Sequence, residues 1–217
     1  MRSELTEAAA LAQRLRPAIA DERVLAAIAS IPRELFVPER ERGRAYDNIA
    51  LPIACGQTIS QPLVVARMIE MLAPRMGDRL LDVGTGSGYH AALLALLSDH
   101  VWTIERHAAL SENANRTIAA LGLDNVSFFL GDGSQGLPEH APFDAINVAA
   151  ATGAAVPTVL EQQLAEGGRL VAPVGAASQH LMLTRRTAAG FERQQLEAVR
   201  FVPLVRGEHS AQDPRGN

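Results

Sequence analysis

The sequence holds a single cysteine, Cys55, so no disulfide can close within the chain. A disulfide-stapled secreted scaffold is excluded, and a reducing, cytoplasmic setting is the simplest expectation. No apolar run approaches the ~20 residues that span a bilayer, so no membrane association is expected. The first ten residues carry two acids and no continuous apolar core, unlike a secretory signal. Basic charge is not in excess: 20 basic against 24 acidic residues give a net charge of −4. A broad phosphate-binding surface, and with it a nucleic-acid partner, is disfavoured. Metal-ligand patterns are missing as well. The chain has no H-E-x-x-H or C-x-x-C, and its histidines at 90, 100, 107, 140, 180 and 209 show no ligand spacing, so no metal is expected.

What is there suits one globular unit. With 217 residues, 47% of them hydrophobic, the chain can bury one sizeable core but not two generous ones. A single domain over 1–217 is expected. It divides into a helical and loop segment at 1–76, an α/β core at 77–205 and a polar tail at 206–217.

The first third reads helical. Residues 5–15 are Ala-rich. Asp21 is placed to cap a helix carrying Val24, Leu25 and Ile28 on one face, and Pro32 ends it. Irregular chain is expected over 36–52. A third helix over 61–72 follows from the spacing of Val64, Val65, Met68, Ile69 and Leu72. From residue 79 the rhythm alternates between strand and helix. Strands are expected at 79–83, 101–104, 126–130, 143–149 and 168–174, and helices at 88–97, 107–121 and 156–164. Such alternation means a doubly wound, mostly parallel α/β sheet. Gly167 and Gly168 are read as the return from the last helix. Strands near 180–186 and 200–205 would complete a seven-stranded sheet as an antiparallel hairpin.

The chemistry concentrates at the end of the strand over 79–83. Leu80, Leu81 and the acid Asp82 lead into Gly84, Thr85, Gly86, Ser87 and Gly88. A second acid, Glu105, closes the next strand. Glycines let backbone approach a ligand closely, and the second acid can accept hydrogen bonds from ribose hydroxyls. The spacing is G-x-G-x-G, and Tyr89 stands where a dinucleotide fingerprint needs its third glycine. The turn therefore leans away from NAD and toward S-adenosylmethionine. A plain strand–turn–helix connection would also explain the glycines. Asp82 can equally cap the turn, and Asp132, between Gly131 and Gly133, can form an Asx-turn instead of meeting an adenine amino group.

Taken with what surrounds them, these motifs resemble the protein-L-isoaspartate O-methyltransferase family. The most specific match is Gly56-Gln57-Thr58-Ile59-Ser60-Gln61-Pro62. In family order follow the turn at 81–89, Ile104-Glu105-Arg106, Gly131-Asp132-Gly133, and the segments 142–146, 167–175 and 199–204. The resemblance implies a Rossmann-like class I methyltransferase fold with S-adenosylmethionine as methyl donor. It implies L-isoaspartyl residues of damaged proteins and peptides as substrate, with repair through a succinimide. Carried over, Ser60 is the active-site serine, and Gln57, Thr58, Ile59 and Ser60 form the substrate loop. Asp82, Gly84, Thr85, Gly86, Ser87, Gly88, Glu105, Asp132 and Gly133 hold the cofactor. The chain departs from the family pattern at Ala54, Cys55, Ser134, Asn147 and Ala149, which bears on the substrate side more than on cofactor binding. A monomer is favoured.

An acceptor carboxylate, with a pKa of roughly 3.5–4, is ionised at neutral pH and needs no general base. Alignment and exclusion of water are then the main catalytic devices. Ser60 is expected to orient the acceptor rather than attack it. It also looks like an N-cap for the helix that follows. No G-x-S-x-G elbow supports a hydrolase. Two alternatives stay open: a methyltransferase of this fold acting on RNA or a small molecule, and a non-catalytic S-adenosylmethionine-binding paralogue. A dehydrogenase is more distant. Cys55 is either a small packing residue or an exposed thiol.

Overall fold

The computed structural model describes residues 6–207. Two helices open the chain, α1 (Glu7–Leu15) and α2 (Glu22–Ser30). Asp21 caps α2 as expected, its side chain accepting from the Arg23 amide. Short 3₁₀ turns follow at Arg33–Phe36 and Glu39–Arg44. A two-stranded ribbon, β1 (Leu51–Pro52) with β2 (Thr58–Ile59), then leads into α3 (Pro62–Leu72). Val65, Met68, Ile69 and Leu72 of α3 are buried. Each such aliphatic contributes about 1.5–3 kcal/mol when fully taken from water. Val64 does not join them and stays half-buried.

The α/β part runs β3 (Arg79–Val83), α4 (Tyr89–Ala95), β4 (His100–Glu105), α5 (Ala108–Ala120), β5 (Val126–Leu130), β6 (Phe143–Val148), α6 (Thr158–Gln162) and β7 (Leu164–Val174). Two further strands, β8 (Gln179–Thr187) and β9 (Gly190–Val199), end it. One seven-stranded sheet results, in the order β5-β4-β3-β6-β7-β8-β9. The five strands β3 to β7 are parallel, and β8 and β9 add antiparallel. Strand order reverses between β3 and β6, so the carboxyl ends of these strands flank the natural ligand crevice.

Successive strand residues face opposite sides. Leu80, Ala145 and Val171 join the core formed with α1 to α5. Their neighbours Leu81, Ile146 and Leu170 join a second core with Leu160 of α6.

The sequence reading needs two corrections. The last strand is β9 at 190–199, not 200–205. Residues 200–207 instead run back across the sheet's carboxyl end, pairing only through an Ala151–Pro203 bridge. Pro203 within that run cannot donate to a ladder. Secondly, Gly167 and Gly168 do not terminate a helix. They lie within β7, where the pairing with β6 slips between Phe143 and Ala145. Gly167 takes φ +76° there, a bulge that a side chain would strain. Of the expected polar tail, residues 208–217 fall outside the described residues. Among the described residues, no helix is long and apolar enough to cross a membrane.

Candidate active site

The turn after β3 is held against β4. The Gly84 and Thr85 amides donate to the Ile104 carbonyl at 2.9 and 3.3 Å. Gly84 and Gly86 take φ +91° and +53°, which turns backbone rather than side chain toward the crevice. Glu105 then ties the glycine turn to the start of the connection after β4. Its Oε2 accepts the Gly86 amide at 2.9 Å, and its Oε1 accepts the Arg106 and His107 amides at 2.8 and 3.0 Å. A carboxylate has about four acceptor positions, so Oε2 retains capacity for a hydroxyl donor.

A cavity opens over this turn, with about 830 Å³ of free space including its mouth. Its floor is Gly84, Thr85, Gly86 and Ser87, and Glu105 and Gly133 line its flank. Gln57, Thr58, Ile59 and Ser60 close one end, and Val202 to Val205 cover it. A second, more open groove shares Thr58, Ser60, Ala149 and Val202 with it and runs outward past Ala50, Gln61 and Val64. Ser60 therefore lines both this cavity and the adjoining groove.

Three of the expected cofactor residues do not line the chamber. Asp82 is fully buried behind it. Thr103 Oγ1 donates to Asp82 Oδ2 at 2.9 Å, and the Thr103 and Thr85 hydroxyls are 2.6 Å apart. With the Thr103 proton committed to Asp82, Thr85 donates to Thr103 and shows the chamber its lone pairs. Burial pushes the Asp82 carboxyl up to about 6, against the pull of its Asn147 and Thr103 hydrogen bonds. Gly88 lies away from the chamber, where its missing side chain lets α5 approach: a Cβ would sit 2.9 Å from Ala114 Cβ. Asp132 forms the Asx-type turn, accepting the Ser134 amide at 2.9 Å through Oδ1. Its Oδ2 accepts the Gly207 amide at 2.8 Å, which pins the covering segment. Burial raises the Asp132 carboxyl, but these amides outweigh it and hold it below the usual range.

The departures from the family pattern are divided differently than expected. Asn147 is on the cofactor side, its amide donating to Asp82 Oδ1 at 2.7 Å. Ser134 is buried in the Asp132 turn. Ala149 alone borders both chamber and groove. Cys55 is exposed, at φ +57°.

Ser60 is not the N-cap of α3. That position is Gln61, without a side-chain cap, and Asn48 Oδ1 accepts the Leu63 amide at 3.0 Å instead. The serine hydroxyl makes no hydrogen bond among the described residues. Sequence reasoning missed the residue behind it, Arg33, whose guanidinium donates to the Ser60 carbonyl at 2.8 Å. It also missed Val202 to Val205 as a cover and His90 as a chamber wall. Among the described residues, no three His, Cys, Asp or Glu side chains gather as metal ligands would.

A family model for protein-L-isoaspartate(D-aspartate) O-methyltransferase matches residues 6–209. The chain belongs to this family. Relatives named protein-L-isoaspartate O-methyltransferase agree with it along most of their length. One from Shewanella baltica is 50% identical over 208 residues, covering 95% of this chain and 98% of that protein. One from Aeromonas hydrophila is 52% identical over 190 residues, covering 88% and 92%. Among solved structures, a protein-L-isoaspartate O-methyltransferase superposes with a TM-score of 0.83 at 28% identity, over 92% of this chain and 66% of that one. A Plasmodium falciparum chain assigned to the same enzymes, solved with S-adenosyl-L-homocysteine, gives a TM-score of 0.78 at 28% identity, over 91% and 98%.

Proposed function

We propose that the protein transfers a methyl group from S-adenosylmethionine to the free carboxylate of L-isoaspartyl residues in damaged proteins and peptides. The observation that carries this reading is the position of Ser60, which lines both the cavity over the glycine turn and the groove that adjoins it. A small donor suits the chamber, and an extended peptide suits the groove.

The chamber residues fit the donor. Oε2 of Glu105 has capacity for a ribose hydroxyl, and the Gly84–Gly86 backbone allows close approach. Thr85 offers acceptor lone pairs to an ammonium group. Gly133 lines the wall, and Asp132 acts behind it by holding the cover through Gly207. Asp82 acts one step removed, by fixing the Thr103 and Thr85 hydroxyls. When bound, the donor supplies a methyl group on a cationic sulfur, already activated toward an electron pair.

The acceptor carboxylate is ionised at neutral pH, so no residue need remove a proton. The Ser60 hydroxyl, unspent on the helix, donates to that carboxylate and orients it. Val202 to Val205 on one side and Ile59 on the other keep water from the reacting oxygen. Gln57 and Thr58 flank the approach. The single cysteine is compatible with the cytoplasm as its place of work.

The test is methyl transfer from labelled S-adenosylmethionine to a short L-isoaspartyl peptide beside its normal aspartyl twin. Methylation of the first alone is expected. Methylation of neither, with the donor still bound, would overturn the substrate assignment.

A further inference from the structure

Two arginines are buried among the described residues, and their surroundings differ. Arg169 donates to the carbonyls of Leu72, Ala73 and Asp144, and it forms an ion pair with Asp78. Arg33 has no such partner. It is 0% exposed, and no ion pair among the described residues includes it. Nε donates to the Ala45 carbonyl and Nη2 to the Ser60 carbonyl, each at 2.8 Å. The guanidinium carbon lies 4.8 Å from the Tyr89 ring centre. Nη1 is buried with no hydrogen-bond partner.

The charge persists at neutral pH. Burial lowers the guanidinium only to about 10, and the groups that act back in its favour are the phenols Tyr89 and Tyr46. Both phenols are pushed above their ordinary range by burial and are neutral there. The Tyr89 hydroxyl, which supports the guanidinium as a neutral acceptor, and His90 Nε2 border the same region without a close hydrogen bond, and both residues line the chamber. Burial first, and the Arg33 charge second, push His90 down to about 4, so it adds no positive charge of its own.

A buried cation without a counter-charge is costly, by several kcal/mol in a folded protein. This one lies a single peptide carbonyl behind the serine that faces the groove. We infer that Arg33 is the positioning residue for the acceptor: its unmatched charge is completed by the isoaspartyl carboxylate bound at Ser60, and it selects anionic over neutral acceptors. The inference rests on the isoaspartyl methyltransferase reading above.

The kinetic signature follows from charge. Transfer of methyl from a cationic sulfur to an anionic oxygen cancels both charges. A nearby cation therefore favours the bound carboxylate more than the transition state, so loss of its charge raises KM and does not by itself lower kcat. The fork that holds the Ser60 carbonyl acts separately, on alignment.

The experiment compares wild type, Arg33→Met and Arg33→Lys on an L-isoaspartyl peptide, with S-adenosylhomocysteine affinity measured alongside. For Arg33→Met, KM is expected to rise about tenfold or more, a loss of about 1.4 kcal/mol, with S-adenosylhomocysteine affinity nearly unchanged. Arg33→Lys can supply a cation once the acceptor carboxylate is bound beside it, but not the fork, so KM should return toward wild type while kcat falls through lost alignment. Equal KM for all three proteins overturns the proposal. So does a loss confined to S-adenosylhomocysteine affinity, which would mean that the charge serves the donor's own carboxylate.

Should Arg33→Met fail to fold, wild type decides the matter. Its complex with S-adenosylhomocysteine should bind the isoaspartyl peptide about tenfold more tightly than the neutral isoasparaginyl peptide. Equal affinity overturns the inference. Failure of wild type to methylate the isoaspartyl peptide would instead overturn the assigned activity, and this inference with it.

Discussion

The side-chain oxygen of Asn48 accepts the Leu63 amide at 3.0 Å and so caps the helix that Ser60 precedes. The two polar residues divide what one could have done. Asn48 satisfies the helix, and Ser60 keeps its hydroxyl for the groove. Replacing Asn48 with Ala should lower stability by about 1 kcal/mol, the usual worth of a cap. Replacing Ser60 with Ala should leave the melting temperature nearly unchanged while turnover falls roughly tenfold or more. Thermal unfolding beside peptide kinetics separates the two, and equal turnover for Ser60→Ala and wild type would refute the role given to the hydroxyl.

Glu105→Gln should cost both stability and donor affinity. The carboxylate accepts three amides, whereas a glutamine amide presents one oxygen and an N–H₂ that faces other donors. At least one part-buried N–H is left unpaired, at about 1 kcal/mol. Calorimetric titration with S-adenosylhomocysteine should show weaker binding, and the melting temperature should fall.

Asp82 and His90 titrate in opposite senses across one pH window. Asp82 is raised to about 6 in the fold, so between its ordinary pKa of 3.8 and that value the native state holds a proton the unfolded chain has lost. Stability from this group therefore falls as pH rises. His90 is lowered from 6.5 to about 4, so over that range the unfolded chain holds the extra proton, and stability falls as pH drops. The two slopes oppose each other in the wild type. Asp82→Asn should make the protein more acid-sensitive between pH 6.5 and 4. His90→Gln should make it gain stability over the same descent. Urea unfolding at pH 4.5 and 7 checks both, and identical pH slopes for the two variants would refute the pairing.

Asp132→Ala should release the cover. Gly207 loses the acceptor of its 2.8 Å hydrogen bond, so the segment over the chamber opens more often. S-adenosylhomocysteine should dissociate several-fold faster, measured by displacement with excess ligand. An unchanged dissociation rate would show that the Gly207 contact does not hold the chamber closed.

The elements that were legible in the sequence are those whose patterns are local. The run Leu80 to Gly88 announces strand, acid and turn, and the spacing along 61–72 announces α3. The edge strand β9 was not legible. Its Glu192, Arg193, Gln194 and Gln195 run without apolar alternation, because an edge strand half open to water needs none. Residues 200–205 looked more like a strand, being richer in apolar side chains, yet they cover a ligand chamber. In the site, Ser60 and Glu105 could be read from their motifs. Arg33 could not, since nothing local to Pro32-Arg33-Glu34 tells a buried guanidinium from a solvated one. Its burial comes from Ala45, Ser60 and Tyr89, all of them 12 or more positions away in the chain.

The groove beside Ser60 mixes small side chains, Ala50, Ala149 and Ala198, with the larger Gln61, Arg200 and Phe201. An extended peptide would enter it only after leaving its own fold. A lesion within a rigid strand or helix must wait for local opening before it can be presented, and such openings range in cost from almost nothing at frayed ends to the full unfolding energy in a core. The rate of repair would then report how loosely the client holds its damaged segment, and the catalyst would work as a gauge of mobility as much as of chemical damage.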